Sequence, residues 1–193
     1  MSGERTRMED FDVLSEMIRP AACLPLQQDY SHLTVTLTEP ACPGCEVKIR
    51  GLPERSLVIK VDACPAPDSI FNGTKHECRR ADYVIVAEQN GQTVVIFIEL
   101  KTGTSSRRWE IVRQLMGARC FVEYCKAIGR HFWQARDFLE AAEQRFVRFS
   151  DRRSMLKRPS RPSRTKCLHN QPDDFLTLYG GCHVQFNELA ALG

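Results

Sequence analysis

Residues 82–101 read DYVIVAEQNGQTVVIFIELK, two runs of mainly apolar and β-branched residues joined by Asn90-Gly91. An Asn-Gly pair between two such runs is the strongest short-range hairpin signal, because both residues tolerate a positive φ in a type I′ turn. The sequence therefore predicts strands over 82–88 and 93–101. With Asn-Gly as the turn, the numbers of any two facing residues add to 181.

This register brings charged residues together at the open end of the hairpin. Asp82 faces Glu99, with Cβ atoms about 5 Å apart on one face of the sheet, and Lys101 points to the same face because it lies two residues beyond Glu99. The remaining positions on both faces are apolar, which predicts a hairpin in the middle of a covered sheet. Facing carboxylates in such a place repel each other and lose hydration, and a hard divalent cation would hold them together.

Two interpretations of this charged group follow. In the first, Asp82 and Glu99 hold a Mg²⁺ ion, for which Mn²⁺ can substitute, and Lys101 orients an attacking water or stabilises the charge that builds on a phosphate. In the second, Asp82 only ends its strand, and Glu99 and Lys101 form a solvated ion pair at the rim of the sheet. The register favours the first interpretation.

The order of the predicted elements indicates one mixed α/β domain over residues 1–193, with a mixed central β-sheet flanked by helices. Apolar periodicity predicts helices over 7–19, 109–128 and 132–146, and further strands over 33–37, 46–49, 57–62, 175–179 and 183–186. Residues 21–30 and 65–75 are predicted loops. Trp109 and Trp133 lie on predicted helices, where we expect core packing rather than base stacking.

Composition narrows the class of protein. The chain has 193 residues, of which 42% are hydrophobic and 26% charged, which is typical of a globular protein. No apolar run approaches the roughly 18 residues of a membrane span, and the charged N-terminus leads into no signal-type apolar segment, so we expect a cytoplasmic protein without a membrane partner. Nine cysteines, an odd number, predict reduced thiols in a reducing compartment.

The basic residues are concentrated in one predicted loop, 151–173. Between residues 145 and 166 there are nine basic residues and one acid, a net charge of +8 in a chain whose total is +3. Such a segment is typical either of a polyanion-binding arm or of a solvated connection. The candidate nucleic-acid-binding residues are Arg152, Arg153, Lys157, Arg158, Arg161, Arg164 and Lys166.

Four motifs in and around the hairpin resemble one known family. They are Lys60-Val-Asp-Ala-Cys64, Arg80-Ala-Asp-Tyr-Val84, Phe97-Ile-Glu-Leu-Lys-Thr-Gly103 and Gln114-Leu115. In this order the chain resembles the PD-(D/E)XK, or restriction-endonuclease-like, nuclease superfamily, and the resemblance spans about residues 57–115. Ala81 replaces the proline of the family motif.

The resemblance implies a restriction-endonuclease-like fold and a role for each matching residue. Asp82 and Glu99 would be metal ligands and Lys101 the catalytic lysine, with Gln114 as a supporting polar residue of the active site. Family members often add an acidic ligand from the first helix, and Glu16 is our candidate for it, ahead of Glu9.

The function implied is that of a Mg²⁺-dependent endonuclease, a hydrolase of the phosphodiester bonds of nucleic acid. We expect DNA ahead of RNA as the substrate, a place in bacterial restriction, defence or a mobile element, and room for a partner protein that supplies sequence recognition. A first alternative is a catalytically inactive nucleic-acid-binding or assembly subunit with the same fold. A second is a zinc-stabilised interaction protein, in which Cys42 and Cys45 form half of a Zn²⁺ site and Cys64 and Cys78 the other half.

Overall fold

The computed structural model describes residues 9–40, 46–65, 67–101, 107–150, 168–179 and 183–191. Within these ranges the chain forms three α-helices and ten β-strands. In chain order they are α1 (Asp10–Met17), β1 (Cys23–Leu24), β2 (Gln27–Asp29), β3 (His32–Thr38), β4 (Glu46–Leu52), β5 (Ser56–Lys60), β6 (Tyr83–Gln89), β7 (Gln92–Lys101), α2 (Arg108–Phe132), β8 (Glu143–Ser150), β9 (Leu176–Tyr179), β10 (His183–Gln185) and α3 (Phe186–Ala190).

The strands form two mixed sheets, so the predicted mixed α/β class is confirmed; the sequence predicted one mixed central sheet, and the structure has a second, smaller sheet besides it. Six strands pair in the order β1-β5-β6-β7-β8-β9, and four pair in the order β10-β4-β3-β2. The larger sheet is antiparallel from β1 to β7 and parallel from β7 to β9. Apolar residues of α1 and α2 cover one of its faces, and those of the smaller sheet and α3 cover the other.

The central hairpin has the predicted register. Every facing pair of β6 and β7, from Tyr83 with Ile98 to Gln89 with Gln92, has residue numbers that add to 181. Asn90 and Gly91 have φ of 54° and 75°, as a type I′ turn requires. Both faces of the hairpin are buried, one against each apolar cluster, because the residues alternate between the clusters along both strands.

One predicted helix is wrong. Residues 132–146 do not continue as a second long helix, because α2 ends at Phe132, turns follow, and β8 begins at Glu143. Gln134 and Leu139 both have positive φ, which a helix excludes. The apolar residues that suggested a helix are buried by turns instead, as Phe138 packs directly against Gly129 of α2.

Smaller differences occur in the short elements. Residues 21–30, a predicted loop, contain β1 and β2, and the strand predicted over 183–186 divides into β10 and α3. These elements are two to five residues long, too short for periodicity to show them. In the part of the chain that the structure describes, no helix combines the length and apolarity needed to cross a bilayer.

Three contacts hold the start of β6 in place. The Val61 N–H donates a hydrogen bond to the Asp82 carbonyl at 2.9 Å, and the Tyr83 hydroxyl donates to the Thr38 carbonyl at 2.5 Å, which ties the larger sheet to the smaller one. A Cβ on Gly117 would lie 1.7 Å from the Arg79 carbonyl oxygen. Only glycine therefore allows the segment before Asp82 to lie directly on α2.

Candidate active site

The open end of the hairpin holds three charged side chains in one group. Asp82 immediately precedes β6, while Glu99 and Lys101 belong to the last three residues of β7. The Lys101 Nζ lies 2.9 Å from Glu99 Oε1, and the Leu100 N–H donates a hydrogen bond of 2.6 Å to Asp82 Oδ2. The fold thus brings together the residues that the register predicts to lie together.

The Glu99 carboxylate is the most unusual group of this cluster. Its side chain is 0% exposed, and neither oxygen accepts a hydrogen bond of good geometry from any residue that the structure describes. A buried carboxylate is normally surrounded by donors, because losing its hydration without replacement costs several kcal/mol. The Lys101 ammonium offers it a positive charge, but Asp82 draws on the same charge, so a further cation suits the site.

Burial dominates the protonation of the two carboxyl groups. It raises the pKa of Asp82 to about 7, against the hydrogen bond from Leu100, which favours the charged form. For Glu99, burial together with the negative charge of Asp82 raises the pKa to about 8. Burial is the largest effect on Lys101 and by itself would lower its pKa, but the charge of Glu99, the hydrogen-bonding contact with it and the charges of Asp82 and Glu39 together raise the pKa. The lysine is therefore an ammonium at neutral pH. Its single positive charge does not offset the effect of burial on the pKa values of the two carboxyl groups.

The donor set suits a hard divalent cation. Mg²⁺ is usually bound by one or two carboxylates and keeps several waters, and Asp82 and Glu99 supply oxygen ligands of this kind. Among the described residues, no three or more His, Cys, Asp or Glu side chains form a group that could hold a metal ion. Among the described residues, Asp82 and Glu99 would therefore supply the carboxylates that hold a cation at this site.

Glu16, the predicted extra ligand, has a different neighbour in the structure. Its Oε2 accepts a hydrogen bond of 2.9 Å from the Trp133 indole at the end of α2. Glu9, the weaker candidate, forms an ion pair of 2.8 Å with Arg55. The structure does not bring either carboxylate into contact with the cluster.

Two acids that sequence reasoning missed do act on the cluster. The negative charges of Glu39 and Asp62 contribute to the raised pKa of Asp82. Asp62 belongs to the first of the four motifs, Lys60 to Cys64, so the sequence could have indicated it. No local sequence pattern indicates Glu39, because its position depends on the hydrogen bond from the Tyr83 hydroxyl to the carbonyl of the preceding residue, Thr38.

The remaining candidates fall into two groups. Gln114 is half-buried on α2 beside the buried Leu115, and no contact with the cluster is recorded for it in the described residues. Cys64 and Cys78 carry free thiols. The seven candidate basic residues of the 151–173 loop lie outside the described residues, as do Cys42 and Cys45.

The chain matches no protein-family model, no curated protein and no solved structure. The geometry of the cluster and the motif resemblance therefore carry the functional argument.

The raised pKa values predict how stability depends on pH without a metal. Unfolded Asp and Glu titrate near pH 4, so between about pH 4 and pH 8 Asp82 and Glu99 bind more protons in the folded chain than in the unfolded one, and their contribution to stability falls as pH rises. Glu99→Gln keeps the shape and removes the charge. We expect the variant to gain on the order of 2 kcal/mol over wild type at pH 8, and little at pH 4. Urea unfolding in EDTA across this range measures the difference, and a gain that does not change with pH would contradict the assignment.

Proposed function

We propose that this chain is a Mg²⁺-dependent endonuclease that hydrolyses phosphodiester bonds of nucleic acid, with DNA ahead of RNA as substrate. The observation that carries the proposal is the fully buried Glu99 carboxylate, which lies next to Asp82 with the Lys101 ammonium 2.9 Å away, while neither of its oxygens accepts a well-formed hydrogen bond from the described residues. Buried carboxyl groups with raised pKa values and a specific charge partner are typical of functional sites, and a site for a cation and a phosphate has this character.

Each side chain has a distinct task in this proposal. Asp82 and Glu99 would hold the cation, which when bound supplies positive charge to the phosphate and acidifies water. Lys101 keeps its proton, because the charge of Glu99 raises its pKa. It therefore acts as a donor and not as a base: it orients the attacking water or stabilises the negative charge that grows on the phosphate oxygens.

The direct test is a cleavage assay on plasmid DNA, single-stranded DNA and RNA, each with Mg²⁺, Mn²⁺ or EDTA. We expect cleavage that requires the divalent cation and stops with EDTA. Glu99→Gln protein purified in parallel reveals any contaminating nuclease, because contamination would cut equally well in both preparations. Absence of cleavage on every substrate by folded wild-type protein would overturn the proposal.

A second candidate function has one observation in its favour. Lys101 already pairs with Glu99, and the described residues supply only two acidic ligands at the site. An inactive nucleic-acid-binding or assembly subunit would show this arrangement and would bind nucleic acid without cutting it. The zinc-stabilised alternative depends on Cys42 and Cys45, and stoichiometric zinc in the purified protein would support it.

The proposed biological role of the chain rests on the motif resemblance. By that resemblance, we place the chain among nucleases of bacterial restriction, defence or mobile elements, acting in the cytoplasm. A partner protein that supplies sequence recognition fits this setting, because no group of the described cluster has the character of a base-reading element.

Neutralising the basic loop predicts a measurable change in salt dependence. Replacing Arg158, Arg161 and Arg164 with Ala removes three charges, and each charge that neutralises a phosphate releases about one counterion on binding a duplex. We therefore expect the slope of log affinity against log salt concentration to shrink by about 3 units. Fluorescence anisotropy with a labelled duplex between low and moderate salt measures the slope. An unchanged slope would identify the loop as a solvated connection.

A further inference from the structure

A second group of side chains lies where the loop 67–80 meets the first turn of α2. The His76 ring lies 4.8 Å from the Trp109 ring, centroid to centroid, with the planes tilted by 38°. The Arg79 guanidinium lies over the same indole, 5.5 Å from the ring centroid. Trp109 nevertheless remains 40% exposed, so the expectation that it packs in the core is wrong.

The loop that carries His76 and Arg79 is ordered by its own hydrogen bonds. The Glu77 carboxylate accepts the backbone N–H groups of Gly73 and Lys75 at 2.9 and 2.7 Å. The Arg80 guanidinium donates to two carbonyl groups across the loop, each at 3.0 Å. Close packing of the Arg79 carbonyl on Gly117 fixes the loop on α2. The exposed indole is thus held on a firm support, which lowers the entropy cost of binding to it.

His76, Arg79 and Trp109 lie close in the chain to the charged residues of the cluster. Arg79 precedes Asp82 by three residues, which span at most about 11 Å even when fully extended. Trp109 stands in the first turn of the helix that follows Lys101 in the chain. The loop also presents Ile70 and Phe71, 80% and 54% exposed. Apolar and aromatic surface with an adjacent guanidinium therefore lies on the segment that leads into Asp82 and on the helix that follows Lys101 in the chain.

We propose that Trp109 and Arg79 form a stacking site for an unpaired nucleobase of the strand that enters the Asp82–Glu99 edge. An indole with a guanidinium over it offers flat, positively charged surface to the π-face of any base, and stacking of this kind contributes about 1–3 kcal/mol per base. A base inside a duplex has both faces covered by its neighbours, so the site selects single strands or single-stranded ends. The inference rests on the proposed function and names the substrate class of the same site.

The binding test uses a 12-mer of thymidylate in EDTA, so that no cleavage occurs. We expect Trp109→Ala to weaken binding about tenfold, and Trp109→Phe to restore most of the loss. Tyr124→Ala is the matched control, since Tyr124 is an exposed aromatic residue further along α2, and it should leave the affinity unchanged. Equal affinities for Trp109→Ala and Tyr124→Ala would overturn the inference.

Fluorescence provides a second measurement that does not depend on the stability of an alanine variant. The chain has two tryptophans, so in Trp133→Phe protein Trp109 is the sole reporter. We expect the oligonucleotide to quench its emission in a saturable manner, and a 12-base-pair duplex with blunt ends to quench it far less. No quenching by the single strand, or equal quenching by the duplex, would overturn the inference.

The two proposals can fail separately. If Trp109 is required for binding the thymidylate 12-mer but wild-type protein cuts nothing with Mg²⁺ or Mn²⁺, the stacking site stands and the nuclease proposal fails. If wild-type protein cuts nucleic acid but Trp109 contributes nothing to binding, the nuclease proposal stands and the stacking site fails.

Discussion

Glu99→Gln is expected to reduce phosphodiester cleavage by roughly 10³-fold or more, while the affinity for nucleic acid changes little. The amide fills the same volume, but it carries no negative charge and so loses most of the attraction for a divalent cation. Phosphate contacts made by basic side chains elsewhere are untouched. Single-turnover cleavage and anisotropy binding, measured on the same protein preparations, give the two numbers.

The control for this substitution is Glu46→Gln, which makes the same chemical change at an exposed position on a strand of the other sheet. We expect Glu46→Gln to cut like wild type.

Magnesium should also raise the melting temperature of wild-type protein at pH 8 and not that of Glu99→Gln. Undiminished cleavage by folded Glu99→Gln protein would remove Glu99 from the list of metal ligands.

Lys101→Met is expected to lower cleavage by about 10²- to 10³-fold through a different cause. The substitution removes the ammonium that orients water or stabilises charge on the phosphate, and both carboxylates remain. It also removes the positive charge that lies 2.9 Å from Glu99. The carboxylates then depend more strongly on the divalent cation, so Mg²⁺ should raise the melting temperature of this variant more than that of wild type.

Lys48→Met is the matched control for Lys101→Met. Lys48 also lies on a strand and forms an ion pair, 2.7 Å from Asp29 in the smaller sheet. Its loss should cost some stability and leave cleavage as in wild type. If Lys101→Met cuts as well as Lys48→Met, the lysine has only a structural role at Glu99.

The sequence predicted the part of the fold that depends on short-range signals. The Asn90-Gly91 turn and two β-rich runs sufficed for the hairpin, and the hairpin sufficed to place Glu99 beside Lys101 and opposite the start of β6. The long helix α2 could be predicted equally well, because Ile111, Leu115 and Ala118 recur at helical spacing; all three are buried in the structure.

What the sequence could not predict depends on contacts between distant residues. In the smaller sheet, β10 pairs in parallel with β4, more than 130 residues earlier in the chain, and no local sequence pattern indicates such a pairing. The helix predicted over 132–146 failed for a related reason: Phe146 becomes a core residue by pairing with Phe97 in the sheet, where their rings stack 4.7 Å apart. The influence of Glu39 on the cluster is long-range as well.

Both faces of the β6–β7 hairpin are buried, and this has a consequence for the pairing register of the two strands. In most strands a slip of one residue exposes apolar side chains to water, which penalises the wrong pairing. Here Val84 and Ile85 each meet an apolar partner on their own face, so a slipped hairpin would still bury apolar residues on both sides. A slip of one residue between β6 and β7 would thus leave apolar side chains buried on both faces, yet Asp82 would no longer face Glu99. A shifted pairing of this hairpin is a route by which such a protein keeps its apolar core and loses its chemistry.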